Sequence, residues 1–335
     1  MGEDGIPPAF REESDLVKRR LEKLEKWRAR GIEPYALEYP HGDTTTRIRE
    51  RFQELGKGEE TDYRASLAGR LMGLRRHGKA CFADLEDGWG RLQVMAAVDS
   101  LGEEDYELFL ELDIGDWIGV EGRVFRSRRG ELTVRVSRFS LLSKSLRPLP
   151  EKWHGLKDME LRYRQRYLDL LVNPEVKRNL LVRVRTIREL RRFLDARDFI
   201  EVETPMLQPI PGGATARPFV TYHLALGENL YLRIAPELYL KRCVVGGLER
   251  VYEINRNFRN EGISYKHNPE FTMLEFYWAY VDYLDLAPFL EEMLCDVVRA
   301  VKGTLSFGYQ GKTLDLAPPW RRVTLLGAVG DAVGR

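Results

Sequence analysis

Between Val251 and Tyr277 the chain gathers side chains that suit a phosphate-bearing ligand better than a hydrophobic core. Val251–Arg259 alternates as a strand, which puts Glu253, Asn255, Asn257 and Arg259 on one face and Tyr252, Ile254 and Phe258 on the other. A polar loop, Asn260 to Glu270, follows. Phe271–Tyr277 is a second extended run, with Phe271, Met273, Glu275 and Tyr277 on one face. Paired as a hairpin, the two runs would join their polar faces over one concavity. Burying such a face unpaired would cost several kcal/mol, so it is expected to face water or a ligand. An Arg at the strand end, a His267-Asn268 pair in the loop and a Phe at the return offer a cation for phosphate and an aromatic for a base. A solvent-facing sheet with ordinary salt bridges is the alternative that these residues leave open.

The elements that must position this hairpin are also visible. Val176–Arg197 reads as a long helix with Leu180, Val184, Ile187, Leu190 and Leu194 on its apolar face. A strand, Phe199–Glu203, follows and Pro205 stops it. Further upstream the period changes from helical to two. Ser66–Arg76, Ala80–Glu86, Gly90–Val98, Trp117–Phe125 and Glu131–Leu141 read as five strands, with a short helix, Glu103–Leu112, between the third and fourth. Five strands with a helix after the third is the plan of an OB barrel, which binds oligonucleotides on one face. Arg126, Arg128, Arg129, Arg135 and Arg138 crowd its last hairpin. They suit a nucleic-acid backbone, or equally a solvated edge that blocks sheet-to-sheet pairing. Residues 11–30 read as an amphipathic helix capped by Ser14, with Val17, Leu21, Leu24 and Trp27 on one stripe. Pro40 to Thr46 is turn-rich, and the stretch from Leu149 through Arg166 reads as a basic linker.

Composition bounds the function classes. The 335 residues suggest about two domains, and 43% apolar residues are enough for a real core, which excludes global disorder. A net charge of +1 excludes a uniformly basic nucleic-acid coat, but residues 151–200 hold 13 basic against 8 acidic side chains, so a polyanion partner stays open. Cys81, Cys243 and Cys295 form no CxxC pair, so neither a disulfide framework nor a zinc site is expected. No apolar stretch follows Met1 and no run of ~18 apolar residues occurs, so no membrane segment and a cytoplasmic location are expected. No GxGxxG follows a strand, which argues against a Rossmann fold.

At this point the sequence resembles a family closely: the class II aminoacyl-tRNA synthetases, and among them the bacterial-type lysyl-tRNA synthetases. The run Phe258-Arg259-Asn260-Glu261-Gly262-Ile263-Ser264, continuing through His267-Asn268-Pro269-Glu270-Phe271-Thr272-Met273, is similar to that family's motif 2. Phe199-Ile200-Glu201-Val202-Glu203-Thr204-Pro205 resembles motif 1. Pro211-Gly212-Gly213-Ala214 with Ala216-Arg217-Pro218-Phe219, and Ile234 through Lys241, resemble the lysine-specific core. Gly78-Lys79-Ala80-Cys81-Phe82 and Leu146-Arg147-Pro148-Leu149-Pro150 also fit. The resemblance runs from about residue 60 to 310. It implies an α+β fold, with a five-stranded OB β-barrel followed by a class II catalytic core of antiparallel sheet flanked by helices. The implied division is a helical extension over 1–60, an anticodon-binding barrel over 61–148, and the N-terminal part of the catalytic domain over 149–335.

The resemblance also implies roles. ATP and lysine would form lysyl-adenylate, and the lysyl group would pass to tRNA(Lys). Arg259 would hold the α-phosphate and the lysine carboxylate. Glu261 would bond the adenine amino group, His267 and Asn268 would sit near the distal phosphates, and Phe271 would stack on adenine. Glu275 would receive the lysine ε-ammonium with help from the Tyr277 hydroxyl, while Glu237 and the Gly213 backbone would hold the α-amino group. In the barrel, Phe82 would stack on an anticodon base, Gln93 and Glu131 would read base edges, and Arg70 would bind backbone or base. Motif 1, ending at Pro205, would lie in a homodimer interface.

The family's pattern includes a glycine-rich motif 3 and acidic Mg2+ ligands that do not occur among these residues. The chain therefore reads as a truncated piece of a longer ATP-dependent lysine–tRNA ligase, with no metal ligands of its own. Three alternatives stand beside this reading. One is a tRNA-binding fragment or paralogue without catalysis. Another is a ligase that lysylates protein, which the five-stranded barrel argues against. The third is an aspartyl- or asparaginyl-tRNA synthetase, for which Glu275 has the wrong sign.

Overall fold

The computed structural model describes residues 15–150, 156–264 and 266–334. The Ser14 cap expected for the first helix lies outside them. The chain divides into two compact units, Met1–Pro174 and Glu175–Arg335.

The first unit opens with helix α1 (Asp15–Ala29) and helix α2 (Thr45–Arg51). Five strands follow: β1 (Glu60–His77), β2 (Ala80–Glu86), β3 (Arg91–Ala97), β4 (Trp117–Arg126) and β5 (Leu132–Ser143). Helices α3 (Val98–Leu101) and α4 (Glu103–Leu110) lie between β3 and β4. The expected strands all form. They pair in the order β1-β2-β3-β5-β4, and β4 returns to β1, so the ring closes. Its seam is short, because β3 and β5 run parallel over only Gln93–Thr133, Val94–Val134 and Met95–Arg135. Alternation explains the core. Leu92, Val94 and Ala96 on β3 point inward against Leu132, Val134 and Val136 on β5. Phe109 and Leu112 close one side of the same core.

The α1 stripe differs from expectation. Leu21 is exposed, and the buried positions are Val17, Arg20, Leu24 and Trp27. That spacing of three, four and three follows the 3.6-residue period more closely. A charged residue can occupy it because three carbonyls receive the guanidinium: Arg20 donates to Ser145 O at 2.7 Å, Ile114 O at 3.0 Å and Arg147 O at 3.3 Å. The turn-rich stretch ends at Thr44, whose side chain accepts from Arg47 N and caps α2. The basic linker is largely helical where it is described. Helices α5 (Met159–Arg164) and α6 (Arg166–Val172) are tied together by buried Asp169, which accepts from Arg162 Nε at 2.8 Å and Asn173 Nδ2 at 2.6 Å.

The second unit begins along helix α7 (Pro174–Asp195) and continues through short strands β6 (Ile200–Glu201), β7 (Leu207–Gln208), β8 (Val220–His223) and β9 (Glu228–Leu232). Helix α8 (Glu237–Val245), strands β10 (Arg250–Phe258) and β11 (Glu270–Trp278), helix α9 (Tyr283–Lys302), the hairpin β12 (Ser306–Tyr309) with β13 (Lys312–Asp315), and helix α10 (Leu325–Val333) complete it. The central sheet has the order β11-β10-β6. β10 and β11 are antiparallel; β6 joins parallel, and only two residues of the expected Phe199–Glu203 strand pair. Phe193, Leu194, Phe199, Tyr252, Phe289 and Met293 form the core behind it. The apolar face expected for α7 buries only its C-terminal end: Leu194 is inaccessible, while Leu180 and Val184 are exposed.

The first unit also buries charge. Lys144 Nζ, fully inaccessible, donates to inaccessible Asp116 at 2.8 Å and to Asp113 at 2.5 Å, and Asp113 also receives Lys23 of α1 at 2.8 Å. These bonds to two ammonium groups hold the Asp113 carboxyl below its usual range, against the opposing effect of burial. Lys144→Ala leaves Asp116 buried without its cation, and denaturant unfolding of this variant should show a loss of about 3–5 kcal/mol.

Candidate functional site

The β10–β11 register decides which side chains can meet. Val251 pairs with Tyr277, Glu253 with Glu275, Asn255 with Met273 and Asn257 with Phe271. The two polar faces expected from alternation therefore do share one side of the sheet. That side is more buried than expected. Glu253 and Asn257 are each 1% exposed, so at these two positions the face turns to the interior rather than to water. Burial is tolerable at Glu253 because it is not unpaired. Arg233 Nη1 donates to its Oε1 at 2.7 Å, and the Thr204 hydroxyl donates to its Oε2 at 2.6 Å. Asn257 is different: neither atom of its side-chain amide has a protein partner among the described residues.

At the hairpin's loop end, Arg259 N donates to Pro269 O at 2.9 Å and closes the loop, while Asn260 N donates to Arg217 O at 2.7 Å. A cavity of about 250 Å³ opens there. Its walls include all five residues singled out for a nucleotide: Arg259, Glu261, His267, Asn268 and Phe271. The Arg259 guanidinium lies 5.1 Å from the centre of the Phe271 ring, and its Nε is buried without a partner among the described residues. The two residues thus present a cation and an aromatic plane to one space. Ser264 Oγ and His267 Nδ1 form a 2.8 Å hydrogen bond that fixes the imidazole across the loop. Lys266 also lines the cavity and was not picked out from sequence, because one Lys in a polar loop carries no signal.

Farther along the same face, the Tyr277 hydroxyl donates to Glu275 Oε1 at 2.8 Å. Burial pushes the Glu275 carboxyl up; the Tyr277 bond opposes this and nearby Glu237 adds to the rise. The Tyr277 hydroxyl is itself pushed up, by burial first and by its bond to Glu275 next. Glu237 stands at the start of α8, where Lys241 Nζ donates to its Oε1 at 2.6 Å. Gly213 packs against it with a positive φ of 87°, and a Cβ there would come within 2.8 Å of the Glu237 Cβ. Only glycine meets both conditions without strain. Glu237, Gly213, Glu275 and Tyr277 thus form one anion-rich corner suited to ammonium groups. Among the described residues, no group of three or more His, Cys, Asp or Glu side chains is arranged to hold a metal ion.

The first unit carries a second cavity, of about 460 Å³, on the barrel surface. Phe82, Gln93 and Glu131 line it together, with Arg75, His77, Ser127, Arg128 and Arg129. Phe82 points outward because its neighbours Cys81 and Ala83 fill the core. The His77 ring meets it edge-on at 6.1 Å. Gln93 Oε1 accepts from the Thr133 hydroxyl at 3.1 Å. The structure does not bring Arg70 to this cavity. Arg70 pairs opposite Glu86 and Trp117, donates to Gly115 O at 3.0 Å and stacks over the Trp117 ring; Arg75 is the β1 cation opposite Phe82. The basic hairpin also divides. Arg128 and Arg129 reach the cavity, whereas Arg126 is used to bond Gly130 O, Phe52 O and Gln53 O.

Comparison with known proteins agrees with both units. Residues 158–334 match the family model described as tRNA synthetases class II (D, K and N). Residues 65–142 match the OB-fold nucleic acid binding domain. The chain is 60% identical to a lysine–tRNA ligase of Moorella thermoacetica, over 96% of this chain and 65% of that protein. It is 56% identical to one from Syntrophomonas wolfei and 49% identical to one from Thermotoga maritima, each over 96% of this chain and 64% of the relative. The chain thus spans a little under two thirds of the length of these relatives. No helix among the described residues is long and apolar enough to cross a membrane.

The raised Glu275 carboxyl predicts how a neutral substitute behaves. Glu275 keeps its proton to higher pH in the folded chain than in the unfolded one. Stability from this group therefore falls as pH rises from the ordinary glutamate value through the raised one. Glu275→Gln removes that loss, so its melting temperature at pH 7 should equal or exceed that of the parent.

Proposed function

The chain belongs to the class II tRNA synthetases (D, K and N), and from that premise we propose that the protein containing it is a lysine–tRNA ligase. The observation that carries this choice is the sign of the pocket on β11. A partly buried carboxylate, Glu275, with a hydroxyl donor beside it, suits an ammonium and repels the carboxylate of aspartate. A desolvated ammonium–carboxylate pair discriminates strongly, because a neutral side chain would leave the carboxylate unpaired.

In this reading lysine lies along the polar face with its ε-ammonium at Glu275 and Tyr277 and its α-ammonium at Glu237 and the Gly213 backbone. ATP occupies the loop cavity with adenine on Phe271 and its amino group at Glu261. Arg259 brings the lysine carboxylate and the α-phosphate together. The carboxylate oxygen attacks the α-phosphorus, the bond to the β-phosphate oxygen breaks, and pyrophosphate leaves toward His267 and Asn268. Negative charge grows on the α-phosphate oxygens, where Arg259 stands, so the residues contribute positioning and positive charge rather than a nucleophile. Mg2+ would accompany ATP in the complete enzyme.

The barrel would receive the anticodon of tRNA(Lys), with a base on Phe82 and base edges at Gln93 and Glu131. Arg128 and Arg129 would meet phosphates. Arg70, held apart from that cavity, would take a backbone contact elsewhere on the barrel. The functional division would follow the barrel at 61–148 and the catalytic part at 149–335, after the helical extension of 1–60. The complete enzyme would be a cytoplasmic homodimer joined through the segment ending at Pro205. The exposed Leu180 and Val184 of α7 support such an interface.

Lysine-dependent ATP–pyrophosphate exchange by the protein that carries this chain tests the reading. Exchange should require lysine, and Arg259→Ala should lower it at least 100-fold, about 3 kcal/mol of lost transition-state stabilisation. Exchange driven by aspartate or asparagine instead would overturn the assignment. For the barrel, Phe82→Ala should weaken tRNA(Lys) binding in a filter assay by about 1–3 kcal/mol, the worth of one stacked base.

A further inference from the structure

Glu253 and Glu275 stand directly opposite each other on one face of the β10–β11 pair. Two carboxylates so placed oppose each other's ionisation, and an unmodified pair would tend to share a proton. Only one of them is bonded as an ion. Glu253 receives Arg233 Nη1 at 2.7 Å, the Thr204 hydroxyl at 2.6 Å and the Asn255 amide at 3.2 Å. Arg233 is fully inaccessible and is held in turn: its Nε donates to Arg256 O at 2.8 Å and its Nη1 to Thr204 Oγ1 at 3.0 Å. Its backbone oxygen also accepts from Phe258 N at 2.9 Å, so the residue is anchored to β10 at both ends.

We propose that Arg233 is a positioning residue for selection of a cationic substrate side chain: by cancelling the charge of Glu253 it leaves Glu275 as the net charge that the pocket offers. This rests on the lysine reading above and names how that specificity is set. A buried ion pair is close to neutral in stability compared with an apolar pair of similar size, so stability alone does not account for it. The charge of Glu253 acts on the facing Glu275, and Arg233 is the cation bonded to Glu253. The groups facing Glu275 are Tyr277 on its own strand, Glu237 and Lys241 on α8, and Glu253 with Arg233 beyond it. Glu237 has Lys241 as its cation, just as Glu253 has Arg233. Glu275 has a neutral hydroxyl and no cation of its own among these groups.

Charge cancellation has a signature that a structural role lacks. Lysine binding to the protein that carries this chain, titrated calorimetrically from pH 5 to 9, should have an acid limb set by Glu275. Arg233→Met leaves Glu253 uncancelled and should move that limb upward by about one pH unit. Glu253→Gln leaves Arg233 uncancelled and should move it downward, with lysine affinity at pH 7 weakened roughly tenfold by the extra cation. Arg233→Lys, and the double variant Arg233→Met with Glu253→Gln, should both restore the parent limb. Single variants that shift in the same direction, or a double variant that does not return, would overturn the proposal. Should Arg233→Met not fold, Glu253→Gln and the double variant decide alone. A parent protein that binds no lysine would instead defeat the reading on which the proposal rests.

Discussion

The pairing register of β10 with β11 is the constraint on which the second unit depends. Side chains on a strand alternate with a period of two, so a slip of one residue would carry every polar group to the opposite face. Glu275 and Phe271 would then enter the apolar layer, and Phe276 and Leu274 would take their place. The layer behind the sheet prevents this. Phe199 packs edge-on against Phe276 at 5.7 Å and Trp278 at 5.9 Å, and Phe289 lies tilted against both at 5.6 and 5.3 Å. These aromatic contacts lock one face of β11, and the alternation then places the other. The positions of Glu275 and Tyr277 on the polar face are therefore held from behind, by apolar packing on the other side of the sheet.

The polar face meets a second requirement, that of buried charge. Three carboxylates crowd it, and the fold treats them differently. Glu253 is neutralised in the interior and Glu237 at the start of a helix, while Glu275 is left with a hydroxyl. The first unit uses the same chemistry for a different end. Lys144, Asp116 and Asp113 pair inside the barrel's edge and fasten α1 through Lys23. There every charge has its opposite and none is left for a ligand. The contrast is between buried ions beside an unpaired carboxylate and buried ions that tie elements together.

Much of this was legible in the sequence, for identifiable reasons. The barrel strands were readable because each buries one face, which writes a period-two pattern; Leu92, Val94 and Ala96 are an example. The hairpin was readable because polar residues alternate along both of its runs. The nucleotide candidates came together because all five lie within thirteen residues, from Arg259 to Phe271, around one turn. What escaped was non-local. Arg233 is twenty residues from Glu253 and Thr204 is forty-nine, and nothing in either segment marks them as partners. The burial of Glu253 and Asn257 was missed for the same reason: a polar strand face reads as exposed until the cation that compensates it is located. Arg20 replaced Leu21 in the α1 stripe because hydrophobicity alone does not register a guanidinium that three carbonyls can satisfy.

Geometry along β11 adds a condition on the ligand. Phe271 and Glu275 share a face and are four residues apart, which at about 3.4 Å per residue is roughly 14 Å. A molecule that stacks a base at one end and places an ammonium at the other must span about that length, with its reacting groups between. Arg259 lies at the loop end, beside Phe271, so the joint between the two halves must fall nearer the base than the ammonium. On the proposed lysine reading, the strand would therefore set length as well as sign. A long, flexible, positively charged side chain, as the proposed substrate has, would satisfy both conditions along one β-strand.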